Sequence, residues 1–152
     1  MKGFIFSLLV LLFCCGACSR QSHPVQSVGV VAEQDGTVTV RSTGYGKNKG
    51  EAIDAAERNA IELLLFRGVP GSQQAMPLVS IDESSARSRY KRYFEELLDE
   101  ERHKTFILSS VPVSNFVKHD QTRRNITVDV RINLPALRSD LETQGVIRKF
   151  GY

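Results

Sequence analysis

The chain has 152 residues, of which 41% are hydrophobic and 24% are charged, and its formal net charge is +3. This length is enough for one domain with a single core. The charge is small and no polybasic run accompanies it, which argues against a nucleic-acid binder. No internal repeat is visible, so the sequence gives no sign of a repeat architecture.

The N-terminal stretch has the layout of a secretory signal. Lys2 precedes an apolar run over residues 4–13, and about ten apolar residues are typical of a signal's hydrophobic region. A helix that spans a membrane needs about twenty, and polar residues from Arg20 onward end the run too early. Residues 1–17 are therefore predicted to be a signal peptide.

The signal ends in the tripeptide Gly16-Ala17-Cys18. This small-small-Cys ending resembles the lipobox of bacterial lipoprotein precursors, although Cys15 stands where that family prefers Leu. The resemblance implies cleavage before Cys18 and lipid on its sulfur and on its new amino group. Two or more acyl chains hold a protein stably in a bilayer. Ordinary secretion after cleavage behind Ala17 is the alternative.

The mature chain is predicted to contain no free thiol. Cys14 and Cys15 leave with the signal, and Cys18 carries the lipid, so no thiol is left for a disulfide, a metal site or nucleophilic catalysis. We expect no cofactor and no metal. Residues 18–27 are predicted to be the lipidated cysteine and a flexible tether, and residues 28–152 a single domain. No Asp follows Cys18, and the lipoprotein resemblance then implies an outer-membrane protein that faces the periplasm.

Two β-rich runs open the domain, over residues 28–32 and 37–43. Asp35-Gly36 between them is a strong hairpin signal. The glycine-rich residues 44–50 then separate a strand from a helix, as phosphate-binding loops do. Their spacing fits neither the dinucleotide fingerprint nor the P-loop. They are predicted to form a tight turn in which Gly44 or Gly46 adopts positive φ.

The clearest helix covers residues 49–67. One stripe of apolar residues follows the 3.6-residue period, and its alanines indicate close packing on a sheet; its members are Ala52, Ile53, Ala56, Ala60, Leu63 and Leu64. Residues 69–80 form a long connection. Loops of that length are often functional or mobile, so this one is a candidate contact surface.

A second helix is predicted over residues 80–102, and capping-box spacing places its start at Ser80. Basic residues crowd its first half and acidic residues its second, an order that opposes the helix dipole. Either the neighbours balance a solvated face, or the face is an electrostatic surface for a partner. The candidate partner surface consists of Arg87, Arg89, Lys91, Arg92, Glu95 and Glu96.

The C-terminal third is predicted to be a hairpin of strands 105–118 and 124–134, followed by a short helix with Pro135 at its start. Pro112 cannot donate to a ladder, so the first strand lies at an edge or carries a bulge. The fold class is therefore α+β. A small antiparallel sheet, made of an N-terminal strand or hairpin plus the C-terminal hairpin, packs against two main helices and a short C-terminal helix.

The unit in which Gly44-Tyr45-Gly46 leads into Glu51-Ala52-Ile53 resembles small lipoprotein-antigen domains and flagellar T-ring N-terminal domains of bacterial envelopes. The whole chain is similar to uncharacterised lipoproteins of Bacteroidetes. These resemblances imply a role in an envelope assembly and imply no catalytic residue.

The expected function is that of a non-enzymatic, lipid-anchored envelope protein that binds another protein. One alternative is a lipid-anchored hydrolase, which would need His103 or His119 as a base. Both histidines are expected to be exposed, at a turn or a helix end. The other alternative is a binder of an anionic polymer or glycan through the basic cluster of residues 87–92, which would bind less tightly as salt rises.

Overall fold

The computed structural model describes residues 27–34 and 36–149. The predicted signal peptide, Cys18 and the tether up to residue 26 lie outside the described residues, as do Asp35 and residues 150–152. The described part is an α+β domain, as the sequence predicted.

One antiparallel sheet forms the base of the domain. Its strand order is β1-β2-β5-β3, and a short strand β4 also pairs with β5. The strands are β1 (Ser27–Gln34), β2 (Thr37–Gly46), β3 (Ile107–Pro112), β4 (Val117–Lys118) and β5 (Arg124–Asn133). The central strand β5 covers the predicted range to within one residue, and burial alternates along it; its buried residues are Ile126, Val128, Val130 and Ile132.

The inner face of β2 becomes smaller along the strand, from Val38 and Val40 through Ser42 to two glycines. A Cβ added at Gly44 would strike the backbone of Ala52 and Ala56, and one at Gly46 would strike the backbone of Ala52. Neither glycine has positive φ, so that prediction was wrong. The glycines are needed because the following helix lies directly on the strand.

That helix, α1 (Lys49–Phe66), matches the predicted one closely. Asn48 caps it by accepting a hydrogen bond of 2.9 Å from the Glu51 N–H, and Gly68 follows its C-terminus with a φ of 73°. The predicted alanines at 52, 56 and 60 are fully buried, and Ile61 and Leu65 widen the buried face beyond the predicted stripe.

The second predicted helix is not continuous. The chain forms α2 (Glu83–Arg89), α3 (Lys91–Phe94), a π-helical turn (Glu95–Asp99) and a 3₁₀ helix (Arg102–Phe106). The N-cap is Asp82, which accepts from the Ser85 N–H, and not Ser80. The buried side chains up to residue 98 follow the spacing of one helical stripe, whereas His103 and Phe106 would lie on another face of a straight helix. The left-handed turn at Glu101 comes between the two groups. The buried residues are Ala86, Tyr93, Phe94, Leu97, Leu98, His103 and Phe106.

The strand predicted over residues 105–118 is also interrupted. The 3₁₀ helix extends to Phe106, and residues 113–116 separate β3 from β4. Pro112 lies on the edge strand β3, as predicted, and the register of β3 shifts between Ile107 and Ser109. The last helix, α4 (Leu134–Thr143), is capped by Asn133 and carries Pro135 in its first turn, as predicted.

The long connection after α1 is packed against that helix. Leu78 and Val79 donate backbone hydrogen bonds to carbonyls of Leu64 and Leu65. The buried Gln74 accepts a 2.9 Å hydrogen bond from Arg138 of α4. This connection therefore joins α1 to α4.

The sheet has two distinct ends. The entry end is defined by Gly46, Arg124 and Lys118, which pair side by side, and the far end by Thr37 and Asn133. β1 starts with Ser27 opposite Ser42, just inside the entry-end half of β2, and runs to Gln34 opposite Thr37 at the far end. Helix α1 starts at the entry end and returns antiparallel to β2.

Candidate functional site

The six residues of the predicted partner surface lie on α2, α3 and the π-helical turn, and we call this region the α2–α3 surface. It lies near the C-terminal half of α1, because Arg87 contacts Glu62 and Phe94 packs on Phe66 with ring centroids 5.4 Å apart. α1 runs antiparallel to β2. The α2–α3 surface is therefore beside the far end of the sheet, away from the attachment of β1.

Arg87 serves the fold more than the surface. Its Nη2 donates to Glu62 of α1 and its Nε donates to Glu83, both at 2.9 Å. Its guanidinium also lies 5.6 Å from the Phe66 ring centroid. The two carboxylates raise the pKa of Arg87 against the opposing effect of burial. Arg87 thus fixes α2 to α1.

The other predicted cations reach solvent. Lys91 lies 3.7 Å from Glu95, and Arg92 donates to Glu96 at 2.9 Å. The side chain of Arg92 is 93% exposed, so such a pair contributes little to stability. Arg89 is exposed and its guanidinium lies 5.6 Å from the Tyr90 ring centroid. The charge order that opposed the helix dipole is therefore partly balanced by pairing along the segment.

The helix break at Tyr90 opens a cleft in this surface. Tyr90 has φ −117° and ψ 41°, which ends α2 and redirects the chain into α3. The redirection leaves an open cleft of about 400 Å³. Its lining combines cations with aromatic rings and consists of Arg89, Tyr90, Lys91, Arg92, Tyr93, Glu96 and Gln144.

One wall of the cleft is fixed by a polar network. The Tyr93 hydroxyl donates to Asp140 of α4 at 2.7 Å, and Arg102 donates to both oxygens of the same carboxylate at 3.1 Å. The Arg102 guanidinium lies 5.1 Å from the Tyr93 ring centroid. Burial and the Asp140 carboxylate raise the pKa of Tyr93 far above its ordinary value. Tyr93 therefore remains a neutral hydrogen-bond donor.

His103 is buried, with 1% of its surface exposed, so the prediction of an exposed helix-end histidine was wrong. Its Nδ1 lies 3.1 Å from the Leu97 carbonyl oxygen, and its Nε2 has no hydrogen-bond partner. The left-handed Glu101 turns the chain so that the 3₁₀ helix directs this ring inward. Burial lowers the pKa of His103. The ring pairs with a backbone carbonyl rather than with a serine or aspartate.

His119 is exposed, as predicted, in the turn between β4 and β5. Its ring makes an edge contact with Tyr45, with centroids 4.7 Å apart. Within residues 27–34 and 36–149, no group of three His, Asp or Glu side chains is arranged to hold a metal ion. The two histidines lie in different parts of the fold.

Sequence reasoning missed the network of Tyr93, Arg102 and Asp140. Tyr93 and Arg102 lie 47 and 38 positions before Asp140, and no local sequence pattern joins the three residues. A buried tyrosine usually finds a hydrogen-bond partner, which was the one available signal.

Comparisons of the chain with protein-family models, with curated proteins and with solved structures found no significant match. Among the helices of the described residues, none has both the length and the apolar character that crossing a bilayer requires.

Proposed function

We propose that this chain is a lipid-anchored envelope protein that is not an enzyme and that binds another envelope protein through the α2–α3 surface. The anchor is lipid on Cys18, and the domain faces the periplasm from the outer membrane. The observation that carries the binding role is the open cleft at Tyr90, where exposed cations surround aromatic rings. Tyrosine and arginine are enriched at protein interfaces.

The position of the cleft supports this role. The tether attaches on the side of the entry end, while the cleft lies beside the far end. A partner in the periplasm could reach the cleft without contacting the bilayer. The Tyr93–Asp140 hydrogen bond holds one wall in place, which lowers the entropic cost of binding.

A second candidate function is the binding of an anionic glycan or polymer in the same cleft. It is favoured by Arg89, Lys91 and Arg92 lining one concave surface, because cations bind carboxylate and phosphate groups through charge-assisted hydrogen bonds. The hydrolase alternative has no corresponding support, since His103 Nδ1 contacts the Leu97 carbonyl and His119 contacts the Tyr45 ring, and neither contact is with a serine or an aspartate.

The test is co-purification of the full chain from native membranes in mild detergent. The far-end variant, Arg89→Glu with Lys91→Glu, is compared with an entry-end variant, Lys118→Glu with Arg124→Glu, which makes the same change in charge. We expect the far-end variant alone to lose a stoichiometric protein partner. Recovery of a glycan without a protein would favour the second candidate, and equal retention by both variants would exclude the α2–α3 surface.

Mass spectrometry of the purified chain tests lipid on Cys18.

A further inference from the structure

We infer that the entry end of the sheet docks onto an anionic phospholipid surface and thereby holds the domain upright on the membrane. This inference rests on the proposed lipid anchor at Cys18. It assigns a role to a part of the molecule that the partner-binding proposal does not use.

The length of the tether brings the entry end close to the bilayer. Only eight residues, 19–26, separate Cys18 from Ser27, and nine Cα–Cα steps reach at most about 30 Å. β1 leads away from the entry end. Ser27 lies opposite Ser42, four residues from the entry end of β2, so this tether is long enough for the entry end to reach the bilayer.

The charge of the entry end suits an anionic surface. Four exposed cations lie around it: Lys47 and Lys49 at the start of α1, Lys118 on β4 and Arg124 on β5. Two acidic side chains are also present, and both are engaged locally. Glu51 accepts from the Lys47 N–H at 2.9 Å, and Asp120 forms an ion pair with Arg123 at 2.8 Å. Each cation near an anionic bilayer contributes about a fivefold gain in binding, equivalent to ~1 kcal/mol.

Exposed apolar side chains lie at the same end, on the sheet face opposite α1. Val113 is 44% exposed and Val117 is 50% exposed. Val117 pairs with Asn125, and Val113 donates to the Thr127 carbonyl at 2.9 Å, so both lie at the entry end. Because side chains alternate along a strand, Lys118 and Arg124 point to the α1 side of the sheet while Val117 points to the other side. Cations that flank apolar side chains match the boundary between headgroups and acyl chains.

Docking would fix the orientation of the domain on the membrane. It would add little to the retention of the protein, because the acyl chains already hold it in the bilayer. With the entry end on the headgroups, α1 rises from the membrane over its 18 residues, which is about 27 Å. The α2–α3 surface would then stand at about that height and open toward the periplasm.

The test uses the full lipidated chain in vesicles of phosphatidylethanolamine and phosphatidylglycerol. Once Cys18 is acylated the mature chain has no other cysteine, so Asn115→Cys gives a single fluorophore site at the exposed loop before β4, and Gln144→Cys gives one at the cleft. Quenching by brominated lipid is measured at each site. We expect strong quenching at position 115 and little at position 144.

The two charge variants provide the matched controls. The entry-end variant, Lys118→Glu with Arg124→Glu, should shift the ratio of docked to undocked protein at least about 25-fold, which is about fivefold for each lost cation. The far-end variant should leave quenching at position 115 unchanged. Quenching at position 115 should be abolished in phosphatidylcholine vesicles. It should also be abolished when salt is raised to about 1 M, where the Debye length is near 3 Å.

The outcomes separate the two proposals. A lipidated chain that floats with the vesicles, but whose label at position 115 is no better quenched than the one at position 144, would overturn docking and leave anchoring intact. A chain that carries no lipid and does not float would remove the anchor, and the docking inference would fall with it.

Discussion

The helix α1 and the segment of residues 83–106 are both helical, but they are determined in different ways. α1 is one continuous helix that packs along a strand, and its alanines meet the glycines of β2. The later segment changes direction at Tyr90 and again at Glu101. A sheet gives a helix one long surface to cover, whereas the later segment covers the end of α1 and the side of α4.

This difference indicates where the molecule can be altered. Around α1 the packing is backbone against backbone, so there is no side chain that can move aside. In the later segment the contacts are made by side chains, such as the Tyr93–Asp140 hydrogen bond and the Phe66–Phe94 ring contact. We therefore expect substitutions to cost most near α1 and least on the exposed face of α3.

The largest effect is expected for Gly44→Ala. The added Cβ would overlap the Ala52 carbonyl oxygen and the Ala56 nitrogen, and the helix would have to leave the strand. We expect a loss of at least about 4 kcal/mol in the free energy of unfolding, which would unfold a domain of marginal stability. Chemical denaturation followed by circular dichroism measures it.

The control for Gly44→Ala is Gly50→Ala, in the first turn of the same helix. The nearest atom to its added Cβ is the Asn48 side-chain oxygen, at 3.3 Å, and alanine favours the helix by up to about 1 kcal/mol. A similar loss in both variants would show that close approach to the strand is not the cause.

A smaller effect is expected for Asp140→Ala. The Tyr93 hydroxyl and Arg102 would lose their shared acceptor, and an unpaired buried donor costs about 1–3 kcal/mol. Amide hydrogen exchange should quicken over residues 90–106 while α1 stays protected. Asp140→Asn keeps an acceptor for Tyr93 and should lose less; an equal loss would mean that the ion pair with Arg102, not the hydrogen bond to Tyr93, carries the effect.

The third effect depends on pH and acts through His103. Desolvation lowers the pKa of the folded histidine, and Lys104 and Arg58 lower it further, against the opposing effects of the Leu97 carbonyl and Glu57. In the unfolded chain the pKa returns to about 6.5. Below that value the unfolded chain binds a proton that the folded chain does not, so the free energy of unfolding decreases as the pH is lowered.

This contribution is fully present above about pH 6.5 and is lost as the pH falls toward the lowered folded pKa. The slope is at most about 1.4 kcal/mol per pH unit. Denaturation curves between about pH 7 and pH 5 measure it, and His103→Met, which cannot titrate, is the control. An unchanged slope in His103→Met would assign the pH dependence to other groups.

The smallest effect is expected for Arg92→Ala. Its side chain is 93% exposed and its partner is Glu96 on the same segment, so solvent screens the pair. The thermal midpoint should not change measurably. A loss comparable to that of Asp140→Ala would mean that the exposed face of α3 contributes to the fold, and its proposed availability for a partner would be in doubt.

The sequence predicted the elements whose pattern repeats locally. β5 alternates over ten residues and α1 follows the helical period over 18, and each of these patterns has a single structural solution. The segment of residues 83–106 also has apolar residues at helical spacing, but its breaks depend on where Phe66 and Asp140 lie. Those positions are set by the rest of the fold, so no local pattern could reveal them.

The candidate surface was predicted only in part. Its charged residues could be named from their order along the chain. Four of the six line the cleft, and the exposed Glu95 lies next to it. Arg87 is the exception, because it bonds to Glu62, 25 residues away. The cleft itself could not be predicted, since its lining joins residues 89–96 with Gln144, which is distant along the chain.

The edge strand β3 has a consequence under the proposed lipid anchor, which would place copies of the protein in one bilayer. Confinement to a plane raises the frequency of encounters between neighbours, and a flat, exposed strand would then recruit strands from adjacent molecules. In β3, Pro112 offers no N–H and the register shift before Ser109 disrupts the ladder. These two irregularities discourage strand pairing between copies along the β3 edge.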